Sequence, residues 1–466
     1  MIVSDTKWLP DLSNAGRSKY KALALAIRNG VNAGALPRGE KLPPVRDLAF
    51  RLGVTPGTVA RAYGLLTDDG LLVAEVGRGT FVAKIGESTH AQMDPMITQV
   101  DEETADFRSS RVPDVGQGQL IDDAIIRLGQ AHSRRHINYP TQQTDLSARQ
   151  AVVQWLAPRR LGDFGPDDIV LGNGAQHCCI LSLMNVLTGP NPVILTEELA
   201  YPGARHAAQL LRAKVVGVAM DNEGIIPAAL AEACKTHGGQ VLLTAAEVHS
   251  PTTVRTSLTR KKELAALAKQ IGLVIIEDDC YTISPTGVPA YREMLPEQSY
   301  LVSSLTKSVS GALRFGFAVA PEGQGKSLRQ VAQSSFYGVA QPILDVCADL
   351  LSSGTAAQIR NKVIERTAYR VGLANDVLGH WDLHSRADAP FVWLKLPSGW
   401  RASSFAIACE RRGVTIRPAD EFGLSNARAP NAVRLAVNTC VSEDLFIQAL
   451  HDMNDLLENP VPSIDG

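Results

Sequence analysis

The sequence predicts a multidomain chain: a small N-terminal α+β module followed by a large α/β module with a mostly parallel sheet. Three observations predict it. Three short helical apolar periods and two short apolar runs around glycines occupy residues 1–84. From about residue 150, short apolar runs alternate with helical stretches. The charge also changes sign: residues 1–84 hold 12 Lys+Arg against 7 Asp+Glu, a balance of +5, which leaves −7 for the remainder.

Composition bounds the classes. Apolar residues make up 45% and charged residues 20%, the balance of a globular chain. No run approaches the ~18–20 consecutive apolar residues of a membrane span. The stretch MIVSDTKWLPDLSNAGRSKYK lacks an apolar core, so neither a secretory signal nor a membrane partner is expected. The seven cysteines (Cys178, Cys179, Cys234, Cys280, Cys347, Cys409 and Cys440) are scattered and show no C-x-x-C spacing. They read as buried thiols of a cytoplasmic protein, with no disulfide framework and no metal cluster.

In the small module, Tyr20, Leu23, Ala24, Ile27 and Val31 recur at helical spacing over residues 18–32. A second helix starts near Pro44, turns Val45, Leu48, Ala49 and Leu52 inward, and ends at Gly53. Thr55-Pro56 starts a third: a hydroxyl cap, then a proline whose missing N–H would be unpaired anyway. That helix keeps Val59, Tyr63 and Leu66 on one face and stops at Gly70. Leu71–Val73 and Thr80–Val82 read as strands around Gly77-Arg78-Gly79. Three helices and a glycine-tipped hairpin form a winged helix-turn-helix. Its third helix shows Gly57, Thr58 and Arg61 opposite the apolar stripe. In this fold that helix enters the major groove, where arginine bonds guanine O6 and N7. The basic charge agrees with a nucleic-acid partner.

The run GEKLPPVRDLAFRLGVTPGTVARAYGLLTDDGLLVAEVGRGTFV resembles the GntR family of bacterial regulators, almost without a gap. The resemblance implies binding of double-stranded operator DNA through Pro44, Arg46, Thr55, Gly57, Thr58 and Arg61, and through the wing residues Arg78, Gly79 and Thr80. Residues 85–104 follow as a linker with few large apolar residues and an acidic end.

In the large module the candidate strands are Ile169–Leu171, Val193–Leu195, Val215–Val218, Val241–Thr244, Val274–Ile276, Leu301–Ser303 and Phe315–Ala318. Ligands bind beyond the carboxyl ends of such strands, so the residues that follow them matter. After Leu171 comes the glycine turn Gly174-Ala175-Gln176, opening a helix whose N–H groups suit a phosphate. Tyr201 follows the second strand, Asp278, Asp279 and Tyr281 the fifth, and Ser304, Thr306, Lys307 and Arg314 the sixth. This set suits pyridoxal 5'-phosphate. A lysine forms the Schiff base, a carboxylate keeps the pyridine nitrogen protonated, and an arginine with hydroxyls neutralises the phosphate.

These motifs resemble fold-type I aminotransferases over roughly residues 105–460. In SLTKSVSGALRFGF, Lys307 takes the Schiff-base position and Ser304, Thr306 and Arg314 take phosphate positions. DDCY gives Asp278 to the ring nitrogen, with Asp279 as the alternative, and Tyr281 to the ring hydroxyl. Tyr201 matches the stacking aromatic, and Gly174, Ala175 and Gln176 the phosphate turn. Tyr139 resembles the tyrosine that reaches the partner subunit's phosphate. Arg434, in VRLAVN, resembles the arginine that grips an amino acid's carboxylate. Ser250, in HSPTTVRTS, stands where the family carries an asparagine to the ring hydroxyl. In YPTQQTDLSAR, Thr144 replaces a usual glycine.

Both resemblances in this order match the MocR subfamily of GntR regulators. The expected layout is a DNA-binding domain over 1–84, the linker, and an aminotransferase-like domain over 105–466. Within the latter the large part covers about 150–345, and the small part about 346–466 plus the segment before 150. The resemblance implies a homodimer that senses an amino acid or related amino compound through an external aldimine, with transamination weak or absent. The rivals are a working aminotransferase with an accessory DNA-binding domain, and a dimeric repressor that needs no cofactor.

Overall fold

The computed structural model describes residues 8–10, 19–68, 71–75, 79–83, 104–130, 134–424, 429–438 and 441–459. The linker over 85–104, all but its last residue, lies outside these, as do Arg78 and Cys440. The chain divides into two compact units, Met1–Pro95 and Met96–Gly466.

The first unit contains the helices Lys19–Asn32, Val45–Leu52 and Pro56–Asp68 and the strands Leu72–Glu75 and Gly79–Val82. The strands pair antiparallel, with Leu72 opposite Val82. Leu23, Ile27, Leu48, Val59, Leu66, Leu72 and Val82 form one buried cluster, each worth about 1.5–3 kcal/mol on full burial. Gly53 ends the second helix in the left-handed region at φ 61°. Tyr63 donates its hydroxyl to the Pro43 carbonyl at 2.9 Å, tying the third helix to the chain before the second.

The second unit is built on a seven-stranded sheet. Its spatial order is Ile169–Gly172, Gly316–Val319, Ser299–Ser304, Val274–Asp278, Val241–Thr244, Val193–Glu197, Lys214–Val218. All seven runs read from the sequence form these strands, with ends shifted by a residue or two. Gly316–Val319 is antiparallel to both neighbours. It therefore starts at the edge where the parallel strands finish, which brings Arg314 to the same edge as Asp278 and Ser304. Apolar side chains on both faces of the sheet are covered, Ile276 and Leu243 on one and Ile275 and Leu242 on the other.

A second, four-stranded antiparallel sheet comprises Leu383–His384, Phe391–Lys395, Ala432–Ala436 and Arg417–Pro418. The helix Thr355–Leu378 precedes it in the chain. The segment before residue 150 divides between the two bodies, where the sequence reading assigned it wholly to the small part. Ala105–Asp106 pairs with Val414–Thr415, and Phe107 is buried in the core of the small sheet. Ala124, Ala148 and Val152, on the helices Gln117–Gln130 and Leu146–Leu156, instead join the cluster containing Leu171 and Phe317. Their apolar faces are complementary to the large sheet's outer surface.

Lys261 fixes the edge from beneath. Its fully buried amine donates to Glu247 and, at 3.1 Å, to Glu277. One carboxylate precedes the loop carrying Ser250 and the other adjoins Asp278. A shared buried cation of this kind holds both carboxylates in place, because removing it leaves uncompensated charge.

Candidate functional site

Lys307 lies just past the strand Ser299–Ser304. Its amine donates to the Ser110 carbonyl and stands 5.3 Å from the centre of the Tyr281 ring. Burial pushes this amine down to about 8; the neighbouring Cys280 opposes the shift, and the cations Arg434, Arg111 and Arg314 add to it. A lysine so tuned has a substantial neutral fraction near pH 7–8, which a carbonyl nucleophile requires.

Asp278 ends its strand, and its Oδ1 accepts the Cys280 N–H at 3.1 Å. No cationic side chain lies within ion-pair distance of it among the described residues. Burial raises its pKa. Asp279, in contrast, accepts from Arg159 at 3.0 Å, and its N–H bonds to the Val302 carbonyl. Of the two candidate carboxylates, Asp278 is the one left without a cation.

The glycine turn is tightly built. Gly174 caps the helix Ala175–Val186 at φ 88°. A Cβ there would stand 2.7 Å from Arg314 Nη2. Arg314, itself at φ 48°, donates that nitrogen to the Asn173 carbonyl at 2.9 Å. Across the turn, a Cβ on Gly316 would fall 2.3 Å from the Gly174 carbonyl carbon. Ser304 Oγ accepts the Thr306 N–H at 3.3 Å, and Thr306 Oγ1 is buried with no partner. Gln176 donates to the Gly203 carbonyl at 2.8 Å, which fastens the helix start to the loop of Tyr201. The Tyr201 ring lies against Gly203, and burial raises its phenol pKa. A cradle of helix N–H groups, an arginine, Ser304 and an unpartnered hydroxyl fits a phosphate.

Arg434 is 2% exposed. Its Nη1 donates to Ser250 Oγ at 3.1 Å and its Nη2 to the Arg108 carbonyl, while Nε has no partner. The guanidinium lies 5.3 Å from the Phe391 ring centre and 5.0 Å from that of Phe422. Among the described residues no carboxylate is within ion-pair distance of it. A buried guanidinium without an acid fits an incoming carboxylate. Ser250, read from the sequence as a shortened ring contact, spends its hydroxyl on Arg434.

Tyr139 joins none of these groups. It is 76% exposed and lies 5.5 Å from the Tyr337 ring. The sequence reading missed Arg108, Ser110, Phe391, Phe422 and Arg159. Two act through backbone carbonyls, which leave no side-chain signal, and the aromatics resemble any other core residues.

In the first unit, Thr55 caps the third helix, its Oγ1 accepting the Thr58 N–H at 3.3 Å, a contact worth about 1 kcal/mol. Pro44, Arg46, Gly57 and Arg61 are exposed, and Thr58 is half-buried. Arg61 lies over the Tyr20 ring at 4.3 Å. Gly79 has φ 118° and lies against Lys41, while the Thr80 carbonyl accepts the Leu42 N–H.

The sequence matches two families: aminotransferase class I and II over residues 109–451, and bacterial regulatory proteins of the gntR family over residues 19–82. It is 26% identical over 455 residues to the HTH-type transcriptional regulator YdeF of Bacillus subtilis, covering 97% of each chain. It is 25% identical over 367 residues to the pyridoxine biosynthesis transcriptional regulator PdxR of Corynebacterium glutamicum, covering 76% of this chain and 77% of that one. An archaeal alanine:glyoxylate aminotransferase structure superposes with a TM-score of 0.69 at 20% identity, over 77% of this chain and 91% of the other, and shows the shared fold.

Proposed function

Because the chain belongs to the aminotransferase class I and II family and carries a gntR-type winged helix ahead of that domain, the MocR arrangement, we propose that it is a transcription regulator whose large domain senses an amino compound through pyridoxal 5'-phosphate on Lys307. The family is pyridoxal-phosphate dependent. The bound cofactor supplies an electron-withdrawing ring and an aldehyde carbon that a primary amine attacks.

This chain's residues divide the remaining work. Lys307 would supply the neutral amine that holds the cofactor and a base close to it. Asp278 would keep a proton on the ring nitrogen, Tyr281 would serve the ring hydroxyl, and Tyr201 would cover a ring face. Gly174, Ala175, Gln176, Ser304, Thr306 and Arg314 would hold the phosphate. Arg434, kept in place by Ser250, takes the ligand's carboxylate. Tyr139 is exposed, as suits a residue serving a second copy in a homodimer. Arg46, Arg61 and the wing meet the DNA.

One observation carries the sensing role: Lys307 and Arg434 both donate to the backbone over residues 108–110. That backbone lies a few residues past the linker, after Ala105–Asp106 and Phe107, which are packed on the small sheet. With the cofactor on it, Lys307 would have no free amine for the Ser110 carbonyl. Ligand binding would return that amine to it, while the ligand's carboxylate would compete with the Arg108 carbonyl for Arg434, so the ligand would change both contacts of this segment. Such coupling needs only unequal ligand affinity for two arrangements of that segment.

Borohydride reduction of the cofactor-loaded protein, followed by peptide mapping, tests the site; the label belongs on Lys307, and a label on another lysine refutes it. An assay with amino donors and keto-acid acceptors tests the role. Sensing predicts a spectral change with slow or absent turnover, and rapid multiple turnover would make the protein an aminotransferase.

A further inference from the structure

A cavity lies behind the Lys307 loop, between the end of the helix Leu146–Leu156 and the helix Thr355–Leu378. Its walls include Arg159, Arg360, Asp279, Thr282, Ser304 and Ser308. Ser308 is the residue next to Lys307. The cavity is separate in purpose from the cofactor cradle, although Ser304 borders both.

Two buried polar atoms on its walls have no partner, Arg159 Nε and Arg360 Nε; the Thr282 side chain stands by the Asp279 carboxylate and helps hold its charge. The Arg159 side chain is 9% exposed, and its other nitrogens are spent on Asp279 at 3.0 Å and Thr286 at 3.2 Å. Arg360 stacks on Trp155 at 4.2 Å and has no carboxylate within ion-pair distance among the described residues. Two guanidinium groups and one carboxylate leave this cavity with a net positive charge. Buried N–H donors without acceptors are costly, and those on cationic groups most of all.

We propose that this cavity binds a small monovalent anion, of the size of chloride or formate, between Arg159 and Arg360. Its space holds about two waters, so a halide or a bare carboxylate enters and a phosphate ester does not. Such an anion would lie against the guanidinium groups of Arg159 and Arg360, both of which line the cavity. A water satisfies the same donors but leaves the charge uncompensated. The occupied cavity braces Ser304 and Ser308, which flank the Schiff-base lysine.

The test uses the full-length protein and two measurements. Crystals soaked in sodium bromide should show an anomalous peak between Arg159 and Arg360; a peak only at the surface, or a water alone at that place, overturns the proposal. In solution, sodium chloride should raise the melting temperature saturably above sodium gluconate at equal ionic strength, because gluconate is too large to enter. Arg360→Gln should abolish that difference. An equal response to both salts in the wild type, or an unchanged difference in Arg360→Gln, also overturns it. The bromide experiment needs no variant and stands whether or not Arg360→Gln folds.

Discussion

Lys307 and Arg434 donate to backbone carbonyls two residues apart, those of Ser110 and Arg108. The two cations come from different bodies of the second unit. Lys307 follows a strand of the seven-stranded sheet, and Arg434 lies within the four-stranded one. The segment over 108–110 therefore spans the place where an amino group and a carboxylate of one small ligand would be held. Ligand binding would exchange these contacts, freeing the Lys307 amine for Ser110 and drawing Arg434 away from Arg108.

Arg434→Gln tests the carboxylate grip. Hydrogen bonds to charged groups are worth about 1.5–3 kcal/mol, so amino-acid affinity, followed by cofactor absorbance, should fall roughly 10- to 100-fold. The spectrum without ligand should stay as in the wild type. An unchanged affinity would place the carboxylate elsewhere.

The rate at which cofactor-free protein takes up pyridoxal phosphate should depend on pH through Lys307. Its amine is pushed from 10.5 down to about 8, and only the neutral form attacks. The second-order rate should climb about tenfold per pH unit below 8 and level off above it. A rise continuing to pH 10 would mean that the reacting lysine is not depressed.

Gly174→Ala should weaken cofactor retention, and Gly316→Ala should do so more severely. The first places a side chain at φ 88° and 2.7 Å from Arg314 Nη2, whose long side chain can yield. The second brings Cβ within 2.3 Å of backbone carbon, which cannot yield without moving the turn. Strain of this kind costs on the order of 1–3 kcal/mol. Urea unfolding and cofactor dissociation rates check both, and wild-type values for Gly316→Ala would contradict the packing described.

On DNA, Arg61→Ala should cost about 1–3 kcal/mol and relax preference at one position of each half-site if Arg61 reads a base edge. Fluorescence anisotropy with sequences selected from a random pool measures the loss. Undiminished binding by both Arg61→Ala and Arg46→Ala would remove the helices Val45–Leu52 and Pro56–Asp68 from the interface.

The sequence was most informative where chemistry depends on local spacing. Lys307, Asp278 and Tyr281 are legible because short runs after apolar strands carry them to one edge. The winged helix is legible because Pro44, Gly53, Thr55 and Pro56 punctuate its helices. Long-range pairing left no such trace. Nothing local links Arg434 to Ser250, 184 residues away, or sends Asp279 to Arg159. The segment before residue 150 was assigned to one body because its helices have ordinary amphipathic patterns, which do not say which sheet they cover.

The most direct test of the account is DNA affinity measured with and without a panel of α- and ω-amino acids, in wild type and in Lys307→Ala of wild-type melting temperature. At least one amino acid should alter wild-type affinity, by about 5- to 150-fold for coupling of ordinary size, and Lys307→Ala should bind DNA without responding. An equal response in the variant, or none in the wild type despite a ligand-induced spectral change, would contradict it.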